Sequence, residues 1–291
     1  MNLFIQLLFN GLSIGCSIAI IAVSFGLIYS TSRTFHIAHS VVFVSSAYLA
    51  YFLFTTAKFS ALLTLMISAL WSIVLGMGIY YFFYKPIFMK SGSGLVVFIT
   101  SLALTIISEN FLSLLFKADP KQLPQNILTN PIKFNSLTLS LLDITTILYA
   151  ILVLVIIIYF LNGTKIGRMT KATSSDPELA ISKGIDIEKI YLFTYGLGSL
   201  LVMPAGILIG LRGSITPGMG SSLNMIGVMS VIFGGIGNPI GAFIAAIILG
   251  LIRNISLLVI DSSWISTLTF GIFLLVILIQ PKGIMGDRSK N

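Results

Sequence analysis

The sequence predicts an all-α protein, a polytopic bundle of about eight or nine transmembrane segments with at least one short or broken helix. The 291 residues have a mean hydropathy of +1.04, and 56% of them are hydrophobic. Only 9% are charged, whereas about a quarter of the residues in a soluble domain are. Apolar runs of about 18 or more residues recur along the chain, and each can cross the hydrocarbon layer as a helix.

Nine apolar segments are the candidate spans, and we assign them to one transmembrane domain over residues 1–291. They cover residues 3–30, 39–57, 60–84, 95–116, 142–161, 190–211, 223–236, 240–260 and 263–280. The seventh is short for a full crossing at about 1.5 Å per residue, so we expect a half-helix or a tilted segment buried in protein. The N-terminus has no basic region with a small-residue cleavage site, so the first span is expected to be retained.

The net charge of +8 is better explained by a membrane than by nucleic acid. The basic residues are scattered over short loops, a pattern typical of contact with anionic lipid headgroups and of membrane orientation. Membrane lipid is therefore an expected partner and nucleic acid is not. Cys16 is the only cysteine and lies in an apolar run, which excludes an intrachain disulfide and favours a packing role.

Basic residues in the short loops also predict the orientation of the chain. If the long loop at 162–189 is cytoplasmic, alternation of the spans places eleven Lys and Arg residues on that side and five on the other. Arg253 is the remaining one and lies inside a span. We therefore expect the N-terminus outside and the C-terminus in the cytoplasm. The other long connection, at 117–141, is then an extracytoplasmic lid or docking surface.

The 162–189 loop, NGTKIGRMTKATSSDPELAISKGIDIEK, holds five of the 17 Lys and Arg residues and four of the nine acids. Asp176 can act as the N-cap of a helix, Pro177 suits the first helical position, and Glu178 complements the positive end of the helix dipole. Gly184 follows where a left-handed residue commonly ends a helix. A helix of about seven residues is marginal in water unless it docks. From capping alone, two interpretations stay open: a surface for a soluble partner, or a solvated connection between two spans.

The segment GRMTKATSSDPELAISKGID resembles the cytoplasmic coupling loop of the permease subunits in branched-chain amino-acid ABC transporters. That family has a G-R-x-x-[RK]-A stretch, then D-P-E-x-A and a Gly-Ile pair. The matching residues are Gly167, Arg168, Lys171, Ala172, Asp176, Pro177, Glu178, Ala180, Gly184 and Ile185. In the family the short loop helix sits in a groove of a cytoplasmic ATPase, and the resemblance implies the same use of this loop.

The first span and the segment after it are also similar to that family. NGLSIGCSIAIIAVSFGLIYS resembles the family's first span, with matches at Asn10, Gly11, Gly15, Ala19, Gly26 and Tyr29. TSRTFHIAHSVVFVSSAY resembles an N-F-A-H-G segment followed by Gly-Ala-Tyr. It departs from that pattern at His36, where Asn is usual, and at Ser40 and Ser46, where Gly is usual.

Two C-terminal segments complete the resemblance. VIFGGIGNPIGAFIAAIILGLI resembles the family's G-G-x-G-x-x-x-G-A signature, with matches at Gly234, Gly235, Gly237, Asn238, Pro239, Gly241 and Ala242. Gly-Gly and Asn-Pro break a helix, and the spacing from Gly237 to Gly241 is typical of close helix packing. PKGIMG at 281–286 is similar to the family's P-x-G-L-[FM]-G tail.

The candidate residues of the translocation pathway, or of its structural framework, are polar groups and glycines within the spans. They are Asn10, His36, His39, Glu109, Gly234, Gly235, Gly237 and Gly241. His36 and His39 can share a helix face, either as structural histidines at a helix break or as a proton relay. No Cys or Glu cluster lies near them, so no metal is expected. Glu109 and Arg253 lie inside spans, where either structural pairing or a transport role would explain an ionisable group.

The resemblance implies a permease subunit of an ABC importer that moves branched-chain or other small amino acids across the bacterial inner membrane. No Gly-Lys dipeptide occurs in the chain, so it has no P-loop, and ATP hydrolysis is expected in separate subunits. The implied partners are two cytoplasmic ATPase subunits, a second homologous permease and an extracytoplasmic solute-binding protein. No enzyme activity and no cofactor is expected.

Three alternatives remain from the sequence. A urea or amide permease of the same class would share these motifs, because specificity resides largely in the binding protein. An ion-coupled secondary transporter would need embedded acids on broken helices, and Glu109 alone gives it little support. An intramembrane enzyme would need a nucleophile–base pairing or a HExxH motif, and neither is apparent.

Overall fold

The computed structural model describes residues 2–90, 93–124, 131–134 and 137–286, which form a bundle of membrane-length helices. In this part of the chain, eight helices are long and apolar enough to cross a membrane, and Met219–Gly234 is a shorter apolar helix. The predicted polytopic all-α bundle is thereby confirmed, including the short seventh segment.

Twelve α-helices and one hairpin make up the regular structure of the described residues. The helices are α1 (Asn2–Ser32), α2 (His39–Tyr51), α3 (Ala61–Gly78), α4 (Lys85–Lys90), α5 (Gly94–Phe116), α6 (Leu141–Gly163), α7 (Lys165–Ser175), α8 (Pro177–Ser182), α9 (Ile187–Arg212), α10 (Met219–Gly234), α11 (Pro239–Ile255) and α12 (Ile265–Ile279). The strands β1 (Pro131–Phe134) and β2 (Leu137–Ser140) pair antiparallel, and 3-10 turns cover Ser256–Leu258 and Ser262–Trp264.

Two helices continue through π-helical turns instead of ending. Phe52–Thr56 extends α2, and Ile79–Tyr84 joins α3 to α4, so that Ala61–Lys90 is one helical rod of 30 residues. The predicted third span therefore ends too early, because the turn after Tyr84 stays helical. π-helical turns are uncommon and often lie near functional positions. Here the second one places Tyr80 and Tyr84 in the buried core.

The 162–189 loop is mostly helical, whereas its sequence predicts a helix only in the second half. Thr164 accepts a hydrogen bond from the backbone N–H of Gly167 at 2.9 Å and starts α7 as its N-cap. That threonine was the missed signal, since a hydroxyl three residues before a free amide is a common helix start. The loop consequently presents two short helices, α7 and α8.

α1 lies at the centre of the bundle. Most of its apolar window, 83%, is buried, and it contacts α6, α7, α9, α10 and α11. Glycines allow the closest of these contacts, since a Cβ at Gly250 of α11 would overlap the Cα of Gly15. Small residues at such a crossing let two helix backbones approach closely, which strengthens packing inside a membrane.

The outer helices expose wide apolar surfaces. Only 22% of the apolar window of α5 and 17% of that of α12 are buried within the chain. Lipid or another membrane subunit must cover these faces, because soluble proteins rarely expose contiguous apolar surface of this extent.

Candidate functional site

The contacts of α1 define the two ends of the bundle. Ser30, near the C-terminus of α1, contacts Ser174 in α7, whereas Ser13 contacts Asp143 at the N-terminus of α6. At about 1.5 Å per residue these two serines lie roughly 26 Å apart along the helix. We call the end that holds α7 and α8 the α7 end, and the other the far end.

α8 is bounded by the residues that the sequence predicted. The Asp176 carboxylate accepts a hydrogen bond of 3.0 Å from the Leu179 N–H, and Pro177 takes the first helical position. Gly184 has a φ of +78°, and its N–H donates to the Ile181 carbonyl at 2.8 Å. Both predicted ends of this helix are confirmed. Its length is six residues.

Most of the predicted coupling residues lie on the surface of α7 and α8. Arg168, Lys171, Asp176, Pro177, Glu178 and Gly184 are exposed, Ile185 is half-buried, and Gly167 and Ala180 are buried. Gly167 is buried because α7 folds back on the end of α6, where a Cβ would overlap the Phe160 carbonyl. Sequence reasoning missed Leu179 and Ile181, which are 56% and 61% exposed. Their signal was apolar character within a charged loop.

α7 is fastened to the segment between α1 and α2, residues 33–38, which we call the α1–α2 junction. The Ser174 hydroxyl donates to the Ser30 carbonyl, and Arg33 Nη2 donates to the Ser174 carbonyl at 3.1 Å. Through these bonds the last turn of α7 is held against the end of α1. A displacement of α7 therefore acts on the junction directly.

The junction continues into a buried cluster of polar aromatic side chains. Thr34 Oγ1 and Tyr195 Oη are 2.7 Å apart, and His36 Nδ1 lies 2.8 Å from Tyr84 Oη. His39 Nε2 lies 3.1 Å from Ser24 Oγ in α1. His36 and His39 are fully buried, and the second nitrogen of each ring has no partner in the described part of the chain. We call these residues the His36 cluster.

The described residues contain no group of three or more His, Cys, Asp or Glu side chains that could hold a metal ion. The His36–His39 ring centroids are 5.6 Å apart. Tyr84 and Tyr195 pack against His36, and Phe25 packs against His39. The arrangement is suited to hydrogen bonding between α1, α9 and the π-helical turn that follows α3.

Glu109 lies half-buried on α5, where it faces α10. Its carboxylate accepts a hydrogen bond from the Ser221 hydroxyl, and no basic side chain in the described ranges pairs with it. Ser40, Thr105 and Pro217 line the small crevice beside it. A carboxylate at this depth without a cationic partner is an unusual feature of a membrane span.

The two C-terminal motifs come together at the α7 end. Gly235 and Gly237 have φ of +107° and +88°, so the chain reverses between α10 and α11, and a Cβ on Gly234 would overlap Gly241. Asn238 caps α11 by accepting from the N–H groups of residues 240 and 241, each at 3.1 Å. The tail at 281–286 packs here, since the Met285 N–H donates to the Gly234 carbonyl at 3.0 Å.

An open cavity of about 820 Å³ lies between these motifs and α7. Lys171 and Ser174 of α7 line one side, and Asn238 and the tail line the other. The family-like segments in α7, at 234–241 and at 281–286, which are far apart in sequence, thus line the same cavity. Asn10, by contrast, lies at the far end, where it accepts a hydrogen bond of 3.1 Å from Gln6.

Beside α8, an ion pair marks the start of α9. Asp186 caps α9 and lies 3.0 Å from Lys189 Nζ. Hydrogen bonds from the Lys189 side chain and backbone lower the pKa of the Asp186 carboxyl below its ordinary value. This carboxylate is therefore charged at neutral pH and adds to the exposed charge of the surface.

The fold and this surface are typical of one class of protein: a multi-pass membrane permease, here with two short helices, α7 and α8, at one end of the bundle. The family described as "Branched-chain amino acid transport system / permease component" matches residues 7–279. The chain belongs to this family, and it is a permease subunit of an ABC importer in the bacterial inner membrane.

Individual relatives agree over nearly the whole chain. The chain is 27% identical to the high-affinity branched-chain amino acid transport system permease protein BraD of Pseudomonas aeruginosa, over 97% of this chain and 96% of BraD. It is 25% identical to the corresponding protein LivH of Escherichia coli K12, with the same coverage of the two chains.

Among solved structures, PsaBC from Streptococcus pneumoniae in complex with Fab has a similar fold. The TM-score is 0.53 at 15% identity, and the match covers 96% of this chain and 92% of the other. At this identity the similarity concerns the fold alone.

Proposed function

We propose that this permease imports branched-chain or other small amino acids and is driven by separate ATPase subunits that hold α7 and α8. The relatives are named as branched-chain amino acid permeases, which supports the substrate class. The observation on which the coupling rests is that α8 is capped at both ends and exposes Leu179 and Ile181. Exposed apolar side chains on a short, well-ended helix fit a groove in a partner protein.

The proposed coupling route runs from α8 to the centre of the bundle. An ATPase that moves α8 also moves α7, because Asp176 ends one helix and starts the next. Ser174 then acts on Ser30 at the end of α1 and on Arg33 in the α1–α2 junction. From there the His36 cluster connects to the π-helical turn at Ile79–Tyr84 and to α9. Each step is a direct contact, so the route is short.

The partners in this proposal are two cytoplasmic ATPase subunits, a second homologous permease, a solute-binding protein and membrane lipid. The chain has no Gly-Lys dipeptide, so its own sequence offers no P-loop lysine for ATP. The exposed apolar faces of α5 and α12 supply surface for lipid and for a second permease. The role is therefore conduction and not catalysis, and it requires no cofactor.

The orientation in this proposal places the α7 end in the cytoplasm and the far end outside. The excess of basic residues in the loops of the α7 end supports it. The chain acts as one transmembrane domain, since α1 contacts helices from both halves of the sequence.

The proposed translocation residues have different roles. Glu109 faces the solute route, because its carboxylate has no cationic partner among the described side chains. His36 and His39 hold the α1–α2 junction by hydrogen bonds. The glycine motif at 234–241 reverses the chain between α10 and α11. The tail packs against this turn, and α7 lies across the cavity from it.

The experiment uses the complete importer with a Leu179→Asp, Ile181→Asp double variant of this chain. We expect the ATPase subunits to be lost on purification, and ATP-dependent uptake of L-leucine into proteoliposomes to fall to background. Val259→Asp is the matched control, because Val259 is 87% exposed and lies outside α7 and α8.

Unchanged uptake by the double variant would contradict the coupling role of α8. Uptake driven by an ion gradient, with this chain alone and no nucleotide, would replace the proposal with a secondary transporter. Uptake of urea or acetamide in place of L-leucine would keep the coupling and change the substrate.

A further inference from the structure

A second cavity lies at the far end of the bundle and is lined by polar side chains. None of these side chains belongs to the coupling route proposed above. Its volume is about 390 Å³, within the range of roughly 300–1,000 Å³ that is usual for small-molecule sites. Four helices contribute polar side chains, which are Asn10 of α1, Asp143 of α6, Arg212 of α9 and Asn254 of α11. We call it the Arg212 cavity.

Asp143 is fully engaged within the protein. Its carboxylate accepts hydrogen bonds from the Ser140 N–H at 3.1 Å, the Ser140 hydroxyl at 2.7 Å and the Ser13 hydroxyl at 2.8 Å. It also forms an ion pair of 2.7 Å with Arg212 Nη2. Asp143 thus fixes the position of Arg212 and has little capacity left for a ligand.

Part of the Arg212 guanidinium has no hydrogen-bond partner among the described residues. Nη2 makes its hydrogen bonds to Asp143 and Ser13, whereas Nη1 and Nε make none within the described residues. The Arg212 side chain is 28% exposed and lines the cavity. A planar guanidinium with free N–H groups is the preferred partner of a carboxylate.

The two asparagines add a donor and an acceptor. Asn10 Oδ1 accepts from Gln6, and Asn254 Nδ2 donates to the Gly250 carbonyl at 3.1 Å. The Asn10 amide nitrogen and the Asn254 oxygen have no hydrogen-bond partner among the described residues. The rest of the lining includes Ile14, Leu142 and Leu211. One cavity therefore combines a carboxylate-binding arginine, an amide donor, an amide acceptor and an aliphatic wall.

We propose that the Arg212 cavity binds the zwitterion of an aliphatic α-amino acid on its way to the translocation route. The carboxylate binds Arg212 and the Asn10 amide, the ammonium group donates to Asn254 Oδ1, and the side chain packs against the aliphatic wall. The inference rests on the proposed function for the substrate class, and it names a binding site in this chain itself.

The Arg212→Lys variant distinguishes a role of Arg212 in binding the ligand carboxylate from a role only in the ion pair with Asp143. Lysine keeps the positive charge beside Asp143 but lacks the planar donors that hold a carboxylate. A structural role alone would thus survive the change. Asn254→Leu is the second variant. In the described part of the chain, the Asn254 side chain bonds only to Gly250 of its own helix, so its loss leaves the ion pair intact.

The test measures equilibrium binding of radiolabelled L-leucine to the purified importer complex without binding protein and without ATP. We expect saturable binding that unlabelled L-leucine displaces and L-leucinamide, which lacks the carboxylate, does not. Arg212→Lys should weaken binding at least tenfold and Asn254→Leu several-fold, at unchanged thermal unfolding midpoints. Arg253→Gln is the matched control and should bind as the wild type does.

Equal displacement by L-leucinamide, wild-type affinity in Arg212→Lys, or no saturable binding would each overturn the proposal. ATP-driven uptake by the wild-type complex with its binding protein is measured in parallel. Intact uptake without cavity binding refutes the site and leaves the proposed function. Intact binding without ATP-driven uptake refutes the proposed function and leaves the site.

Discussion

Arg33 donates a hydrogen bond of 3.1 Å to the carbonyl oxygen of Ser174, and so joins the α1–α2 junction to the last turn of α7. The two residues are separated by 141 positions in sequence. Arg33 also has a φ of +55°, which non-glycine residues seldom adopt. The bond to Ser174 helps to hold this backbone conformation where α7 packs against the end of α1.

Replacing Arg33 by Gln should uncouple ATP hydrolysis from uptake. The α7 backbone would lose its bond to the junction while α8 stays exposed, so the ATPase subunits should still co-purify. We expect L-leucine uptake per ATP hydrolysed to fall several-fold in proteoliposomes. Lys58→Gln is the matched control, because Lys58 is also an exposed basic residue, with a φ of +53°. A normal ratio in Arg33→Gln would remove this contact from the coupling route.

Replacing Gly184 by Val should weaken the end of α8. The φ of +78° costs a β-branched residue about 1–2 kcal/mol, although a Cβ there would meet nothing within 4 Å. The expected result is reduced co-purification of the ATPase subunits with normal insertion of the permease. Gly271→Ala is the control, since its Cβ would also lie in open space and it lies within a regular helix. Equal ATPase binding by Gly184→Val would show that the left-handed turn is not needed.

The ends of α8 were predictable from sequence because their signals are local. Asp176 and Gly184 act within a few residues, and capping chemistry is the same in any protein. The Arg212–Asp143 pair was not predictable, since the two residues are 69 positions apart and nothing local links them. Asp143 forms the capping box of α6 with Ser140, which is a local signal, but its pairing with Arg212 depends on the packing of α6 against α9.

The α1–α11 crossing gives a stability prediction. Gly250→Val should destabilise the fold, because a side chain there would overlap Gly15 and force two packed helices apart. Overpacking in a close-packed core costs about 1–3 kcal/mol, so the thermal unfolding midpoint in detergent should fall clearly. Gly78→Ala is the control, since the nearest atom to its Cβ would be 3.9 Å away. Equal midpoints for the two variants would mean that α11 shifts freely along α1.

Two variants of His36 distinguish a structural histidine from a proton relay. His36→Leu leaves the Tyr84 hydroxyl without its 2.8 Å partner in the core, which costs about 1–3 kcal/mol and should lower the thermal unfolding midpoint. His36→Asn can restore a hydrogen bond to Tyr84 but cannot titrate near neutrality. If the histidine is structural, His36→Asn should keep both stability and the pH profile of ATP-driven uptake between pH 6 and 8. The two variants then differ in stability and agree with the wild type in pH dependence. A relay predicts the opposite result, in which His36→Asn is stable, uptake is lost, and the pH dependence of the wild type disappears with it.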